Sequence, residues 1–238
     1  MMITRLFVTS LKLNKVKLST KVSLMLNSNS LFLNFFIPGQ AGPIYRGYYL
    51  KEKHNLKVSD YTLSTLAYYA VFAVIAVNFI LIGFFKFKIG VPLAILTTLV
   101  FYFLTIKYLK SFTKGRLYIN HRILIDLLWV TFLQIIVSGL IYFIELHYIT
   151  NSIGIYQILS YTGIACMSLF VSLTPAGIGI REAFLIFSQQ ITGINTNQVV
   201  LASVVDRSVY LVFLGFIGLL YLYWKYDSSE KIPFKLKK

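Results

Sequence analysis

Long apolar runs separated by short polar gaps make up most of the chain. Four of the runs reach the roughly 20 residues that an α-helix needs to cross the hydrocarbon layer of a membrane. A fifth run, 153–173, is long enough but is richer in Ser, Thr, Gly and Tyr. This pattern predicts an all-α integral membrane helix bundle that forms one transmembrane domain. The domain extends over 22–226, and its four clear spans are 61–85, 91–109, 123–147 and 200–226.

Two further apolar stretches, 22–47 and 173–194, are interrupted by proline and glycine. Proline removes a backbone donor, and glycine admits conformations closed to other residues, so each interruption ends a helix and turns the chain. Basic segments flank the first stretch on both sides. The whole 153–195 region must cross the membrane an even number of times, either by two crossings or by a hairpin that enters and returns. We therefore predict that both stretches are re-entrant segments, which enter the membrane and leave on the same side.

The composition excludes a soluble domain. Of the 238 residues, 57% are hydrophobic and 13% are charged, whereas a soluble domain carries about 25% charged residues. A disordered chain is excluded for the opposite reason, because such chains have too little apolar content to form a core. The composition therefore supports a polytopic membrane protein.

The net charge of +15 is concentrated in the gaps between the apolar runs. Basic residues in such gaps mark cytoplasmic loops and attract anionic lipids, so no nucleic-acid partner is predicted. The rule places 46–57 and 107–122 in the cytoplasm and 148–154 outside. It also makes 1–21 and 227–238 basic cytoplasmic segments at the two ends of the chain. The predicted location is the cell membrane, with several crossings and both termini cytoplasmic.

The two broken segments resemble each other. Each runs from apolar residues into proline, small residues, glycine and then arginine. A pair of such segments is typical of a transporter binding site, and the helix that restarts after each break offers unpaired amide groups to an anion. The alternative is two helix-ending turns, each with an arginine at the membrane interface. The candidate binding residues are Pro38, Gly39, Gly42 and Arg46 in the first segment and Pro175, Gly177, Gly179, Arg181 and Glu182 in the second.

These motifs resemble those of a known family. Residues 174–183 are similar to T-P-G-G-x-G-x-R-E-A, a signature of the flippase-like membrane proteins that include the transmembrane region of lysylphosphatidylglycerol synthase. Residues 38–46 are similar to the family's other signature, P-x-x-x-G-D/E-x-x-R. Arg207 and the two glycines that follow it suit the family's last span. The resemblance covers roughly 20–225 and implies a role in lipid translocation.

The chain departs from the family pattern at three points. Ala176 replaces the first glycine of the longer signature, and Pro43 stands where an acidic residue is usual, which leaves Arg46 without the expected charge partner. The family generally has further spans before the first signature, so the chain is either a short member or an incomplete gene product. The resemblance also implies that the soluble aminoacyl-transferring domain of the two-part synthase is missing.

Charged residues within predicted membrane segments are costly and are therefore functional candidates. Asp206 and Arg207 lie about 10 Å inside the last span at 1.5 Å per residue. Adjacent side chains on a helix point about 100° apart, so Asp206 and Arg207 form a poor ion pair with each other. The same holds for Arg181 and Glu182. We predict that Arg181 pairs with Asp206 and Glu182 with Arg207. The alternative is that each side chain extends separately to the membrane interface.

The remaining polar residues of the spans are given structural roles. Asp126, near the start of its span, benefits from the helix dipole, and Glu145, at the other end of the same helix, is expected to be solvated. Asn78 and Gln134 are expected to form interhelical hydrogen bonds. Tyr61 is assigned, with other aromatic residues near span ends, to an interfacial belt. The three histidines lie far apart in sequence, so no metal and no other cofactor is predicted.

The predicted function is the flipping of an anionic or phosphate-linked lipid, such as a modified phospholipid or a polyprenyl-phosphate sugar. Its partners are then anionic membrane lipids, held by Arg46, Arg181 and Arg207. One alternative is a non-transporting subunit that docks a lipid- or glycan-modifying transferase. Another is a membrane transferase that uses Glu182 or Asp206 as a base. The chain contains no hydrolase, zinc or nucleotide-binding motif, so a transporter is favoured over an enzyme.

Overall fold

A computed structural model describes residues 2–37, 39–113, 115–150, 153–171 and 179–227. This part of the chain is helical and contains no strand, which confirms the all-α bundle. Short 3₁₀ helices follow α1 and α6, at Lys12–Asn14 and Leu169–Val171. The α-helices are α1 Met2–Leu11, α2 Thr20–Phe36, α3 Ala41–His54, α4 Val58–Phe112, α5 His121–Ile149, α6 Ile155–Ser168, α7 Ile180–Phe187, α8 Gln189–Thr192 and α9 Thr196–Asp227.

Within the described residues, three helices are long and apolar enough to cross a membrane, namely α4, α5 and α9. The apolar part of α4 has 51 residues, which at 1.5 Å per residue would extend about 75 Å, more than twice the thickness of the hydrocarbon layer. The helix does not run straight, because Lys86 has a φ of 61° and a ψ of 173°. This reversal divides α4 into two arms, 58–85 and 87–112, which correspond to the first two predicted spans.

Hydrogen bonds across α4 show that its two arms lie side by side. The Asn78 side chain donates to Thr98 Oγ1 at 2.7 Å and accepts from Thr97 Oγ1 at 2.6 Å. The prediction of an interhelical hydrogen bond for Asn78 is therefore confirmed. Gln134 on α5 differs, since its Oε1 is buried without a hydrogen-bond partner among the described residues, so the prediction for this residue is not supported.

Helix α6 lies at the centre of the bundle, with every residue of 160–166 buried. Small residues allow it to approach the first arm of α4 closely. A Cβ added to Gly163 would lie 2.5 Å from the carbonyl oxygen of Ala76, and one added to Gly83 would lie 2.5 Å from the backbone nitrogen of Ser160. Such close backbone contacts between small residues are the main source of helix association in membranes.

Helix α1 is an element that the sequence analysis did not anticipate. Leu6, Phe7 and Leu11 are buried, and Leu6 packs in one core cluster with residues of α4 and α5. Just after α1, Lys12 Nζ lies 3.1 Å from Asp126 Oδ2 in an exposed ion pair. This contact agrees with a structural role for Asp126, although an exposed pair of this kind contributes only about 0–1 kcal/mol to stability.

Tyr61 does not belong to an interfacial belt. Its exposed fraction is 6%, and it packs with Phe7, Leu26 and Leu50 in a core cluster. The assignment from sequence was wrong because a tyrosine at the end of an apolar run can face either lipid headgroups or the bundle interior, and the run alone does not distinguish them. Tyr48, on the neighbouring helix α3, is exposed.

Candidate functional site

The second broken segment restarts as helix α7 directly after Gly179. Gly179 has a φ of 83°, a conformation that side chains rarely adopt. Its N–H donates to Glu182 Oε2 at 2.7 Å, so the carboxylate caps the helix that contains it. Two other predicted residues of this segment, Pro175 and Gly177, lie outside the described residues.

Two ion pairs join α7 to α9. Arg181 Nη1 donates to Asp206 Oδ2, and Arg207 donates to Glu182 Oε1 through Nη2 and, at 3.1 Å, through Nε. The exposed fractions of the Arg181 and Asp206 side chains are 11% and 25%, and those of Arg207 and Glu182 are 19% and 16%. Both predicted pairings are confirmed, and the alternative that each charge extends separately to the interface is wrong.

Two tyrosines that sequence reasoning missed complete the surroundings of Arg181. Arg181 Nη2 donates to the Tyr142 hydroxyl at 3.1 Å, and its Cζ lies 5.6 Å from the centroid of the Tyr142 ring. Tyr142 packs edge-on against Tyr161 of α6, with ring centroids 5.5 Å apart. Both tyrosines are buried. Their signal was a hydroxyl within an apolar helix, because a buried tyrosine usually needs a hydrogen-bond partner.

Glu145 on α5 is also buried, with an exposed fraction of 8%. The expectation that it would be solvated was therefore wrong. Its position near a helix end shows how far along the helix it lies but not which way its side chain faces. Tyr142 and Leu146 beside it are core residues, so this part of α5 faces inward. Arg181 and Asp206 are the charged groups that act on it electrostatically.

The first broken segment forms a tight turn between α2 and α3. Gly39 and Gln40 both have positive φ values, 76° and 57°. The Gly42 N–H donates to Asn34 Oδ1 at 2.7 Å, and a Cβ on Gly42 would lie 2.5 Å from the carbonyl oxygen of Ser30. The two helices therefore pack backbone to backbone at this point. The predicted residue Pro38 lies outside the described residues.

Arg46 follows this turn on α3 and has a different environment from Arg181. Its Nη1 donates to Asn27 Oδ1 at 3.0 Å, and its Cζ lies 4.9 Å from the centroid of the Phe7 ring. No carboxylate pairs with it in the described part of the chain, and its Nε is buried there without a hydrogen-bond partner. Arg46 is thus a half-buried cation, and the contacts that its guanidinium makes within the described residues are to an amide oxygen and an aromatic ring.

Sequence reasoning also missed the polar face of α2. Asn27, Ser30 and Asn34 recur at helical spacing in an apolar helix and therefore share one face. Asn27 accepts from Arg46, and Asn34 accepts from Gly42. The helical spacing of these three polar residues can be seen in the sequence. It identifies the side of α2 that faces α3.

Aromatic residues make contacts near the described parts of the two broken segments. The Tyr69 hydroxyl donates to Gln40 Oε1 at 3.5 Å, and the Tyr69 ring packs edge-on against Phe170 at 5.5 Å between centroids. Phe170 lies shortly before the second broken segment. On the α9 side, Phe35 contacts Tyr210 at 5.6 Å between centroids. Tyr69 of α4 thus joins the turn of the first broken segment to Phe170, and a separate aromatic contact joins α2 to α9.

Spanning helices, glycine-containing breaks and charges paired between helices define a polytopic membrane protein with a polar interior. Residues 2–218 match the family described as the transmembrane region of lysylphosphatidylglycerol synthase, and the chain belongs to this family. It is similar to the UPF0104 membrane protein MJ1078 of Methanocaldococcus jannaschii. The two are 26% identical over 193 residues, which cover 69% of this chain and 82% of the relative. No solved structure matches the chain.

Proposed function

We propose that this protein flips an anionic or phosphate-linked lipid, such as a modified phospholipid or a polyprenyl-phosphate sugar, between the leaflets of the cell membrane. Membership of a family named for a lipid synthase's membrane region supports this class of substrate. The observation that carries the proposal is Arg46, a half-buried guanidinium without a carboxylate among the described residues. Arginine binds phosphate through its N–H donors. Nη1 of Arg46 already donates to Asn27 and its Nε is buried, so Nη2 is the donor that is left for a phosphate.

The three arginines then have different roles. The charges of Arg181 and Arg207 are already balanced by Asp206 and Glu182, so they offer little net attraction to a further anion. We assign them to positioning α7 against α9. Arg46 retains its positive charge and is the residue assigned to the lipid phosphate.

The glycines of the two breaks provide the remaining contacts in this proposal. A residue without a Cβ lets a headgroup approach backbone amides closely. Gly39 and Gly179 each have open space where a Cβ would lie, with no atom within 4 Å. Both broken segments are then re-entrant, the acyl chains stay in the bilayer while the headgroup crosses, and both termini are cytoplasmic.

A reconstitution experiment tests the proposal. Purified protein in vesicles is given fluorescent phospholipids with anionic, zwitterionic and cationic headgroups, and the labelled lipid that reaches the other leaflet is measured. Arg46→Ala is expected to slow transfer of the anionic lipid about tenfold or more, as expected for loss of a charge-assisted hydrogen bond. Arg46→Lys keeps the positive charge and is expected to slow transfer of the anionic lipid less than Arg46→Ala does.

The matched control is Lys51→Ala, which removes one positive charge from an exposed position on the same helix. It is expected to leave the rate unchanged. If Arg46→Ala and Lys51→Ala have equal rates, Arg46 does not bind the headgroup. If the folded wild-type protein flips none of the lipids, the flipping proposal is overturned in favour of a non-transporting subunit for a lipid- or glycan-modifying enzyme.

A further inference from the structure

Glu145 is a buried carboxylate that the proposed lipid site does not use. Its exposed fraction is 8%, and no donor contacts it within the described ranges. It lies next to Leu146, which is fully buried, and one helical turn after Tyr142. An ionised carboxylate in such a position loses most of its hydration without gaining a hydrogen bond, which is costly.

The charged groups that face Glu145 do not compensate it. Arg181 of α7 contacts Tyr142, one helical turn before Glu145, and Asp206 of α9 contacts Arg181. Arg181 uses Nη1 for Asp206 and Nη2 for the Tyr142 hydroxyl. The guanidinium of Arg181 is therefore already bound to Asp206 and to Tyr142, and neither contact reaches Glu145.

In the described part of the chain, the other helices around Glu145 bring no further cation to it. Helix α6 contributes the Tyr161 phenol, and the first arm of α4 contributes the apolar Ile80 to the same cluster. On α5 itself, His147 is exposed and stacks on Phe143. On α9, Arg207 is bound to Glu182. If both carboxylates were ionised, the cluster would hold one excess negative charge.

We propose that Glu145 is a proton-binding site. A proton on this carboxyl group removes the excess charge while Arg181 stays bound to Asp206. When the proton leaves, the Glu145 carboxylate competes with Asp206 for Arg181, the residue that holds α7 to α9. Helix α5 ends four residues later, at Ile149, so at 1.5 Å per residue Glu145 lies about 6 Å from the end of the helix.

Infrared spectroscopy of the reconstituted protein tests this site without any transport measurement. A protonated carboxyl group has a C=O stretch that is separate from the bands of a carboxylate. We expect the wild-type protein to show this band near neutral pH. Glu145→Gln should remove the band, and the control Glu52→Gln, at an exposed position on α3, should retain it.

Isotope labelling tests without a substitution whether the band comes from a glutamate, and it stands even if Glu145→Gln does not fold. Glu145 is one of four glutamates in the chain, so the assignment to this residue comes from the substitution. Protein made with ¹³C-labelled glutamate should shift the band, whereas protein made with ¹³C-labelled aspartate should leave it in place. Absence of the band in the wild-type protein would overturn the proposal. A band that shifts with labelled aspartate would assign the proton to an aspartate and would overturn it equally.

Discussion

The Glu182 carboxylate binds both the start of its own helix and Arg207 on another. One oxygen, Oε2, accepts a hydrogen bond from the Gly179 N–H at 2.7 Å, and the other, Oε1, accepts one from Nε of Arg207 at 3.1 Å. A single side chain thus sets where α7 begins and where it lies against α9. The two functions of Glu182 are separable, because one requires only an acceptor and the other requires a negative charge.

Substitutions at Glu182 are expected to separate these functions. Glu182→Gln keeps an acceptor for Gly179 but loses the ion pair, whereas Glu182→Ala loses both and leaves Arg207 unpaired. Breaking a buried pair costs about 3 kcal/mol, and loss of a helix cap costs about 1 kcal/mol more. In thermal unfolding in detergent, the unfolding temperature should be highest for the wild-type protein, lower for Glu182→Gln and lowest for Glu182→Ala. Equal stability of the two variants would show that the cap contributes nothing.

A charge exchange tests the other pair. Arg181→Asp and Asp206→Arg are each expected to lower the unfolding temperature, because each places two like charges side by side in a half-buried position. The double variant restores opposite charges and is expected to recover part of the loss. Recovery will be incomplete, since Tyr142 then loses the guanidinium that donates to its hydroxyl. A double variant less stable than both single variants contradicts a direct pair.

Close helix packing at glycine predicts a third result. An alanine at Gly163 would place Cβ 2.5 Å from the Ala76 carbonyl oxygen and 2.9 Å from the Ile80 nitrogen, both backbone atoms. Gly163→Ala should therefore force α6 away from α4 and destabilise the protein by about 1–3 kcal/mol. The control is Gly215→Ala on α9, where no atom lies within 4 Å and where alanine favours the helix. Thermal unfolding in detergent of the two variants measures the difference.

The proton site predicts a fourth result if the protein also flips lipid. A pH difference across the vesicle membrane should then change the flipping rate of the wild-type protein, because the charge on Glu145 alters the hold of Arg181 on Asp206. Glu145→Gln, which is permanently neutral, should flip at a rate that no longer depends on the pH difference. A wild-type rate that is insensitive to the gradient would separate flipping from proton binding and leave the infrared result unaffected.

The long spans and the two ion pairs could be predicted because each follows from a strong constraint. An apolar run of about 20 residues has few stable alternatives to a membrane helix. Charges inside a membrane are costly without partners, and the two adjacent charges on α7 have counterparts of opposite sign in the two adjacent charges on α9. The sequence therefore predicted which residues pair, although not the tyrosines that surround Arg181.

Other features depend on which side of a helix faces inward, and the apolar runs carry little of that information. Glu145 and Tyr61 were both placed in contact with water or headgroups, yet both are buried. Helix α1 has 10 residues, about half of what a span requires, so the length criterion gave no sign of it. The polar face of α2 was readable by helical spacing and was overlooked.

The reversal at Lys86 bears on how the protein enters its membrane. The two arms of α4 meet at Lys86 without a loop between them. One arm therefore cannot stay in water while the other inserts. Asn78 in the first arm finds its hydrogen-bond partners, Thr97 and Thr98, only in the second. The first arm alone would place an unsatisfied amide in hydrocarbon. About 50 residues must therefore be synthesised before the two arms can insert together as a hydrogen-bonded pair.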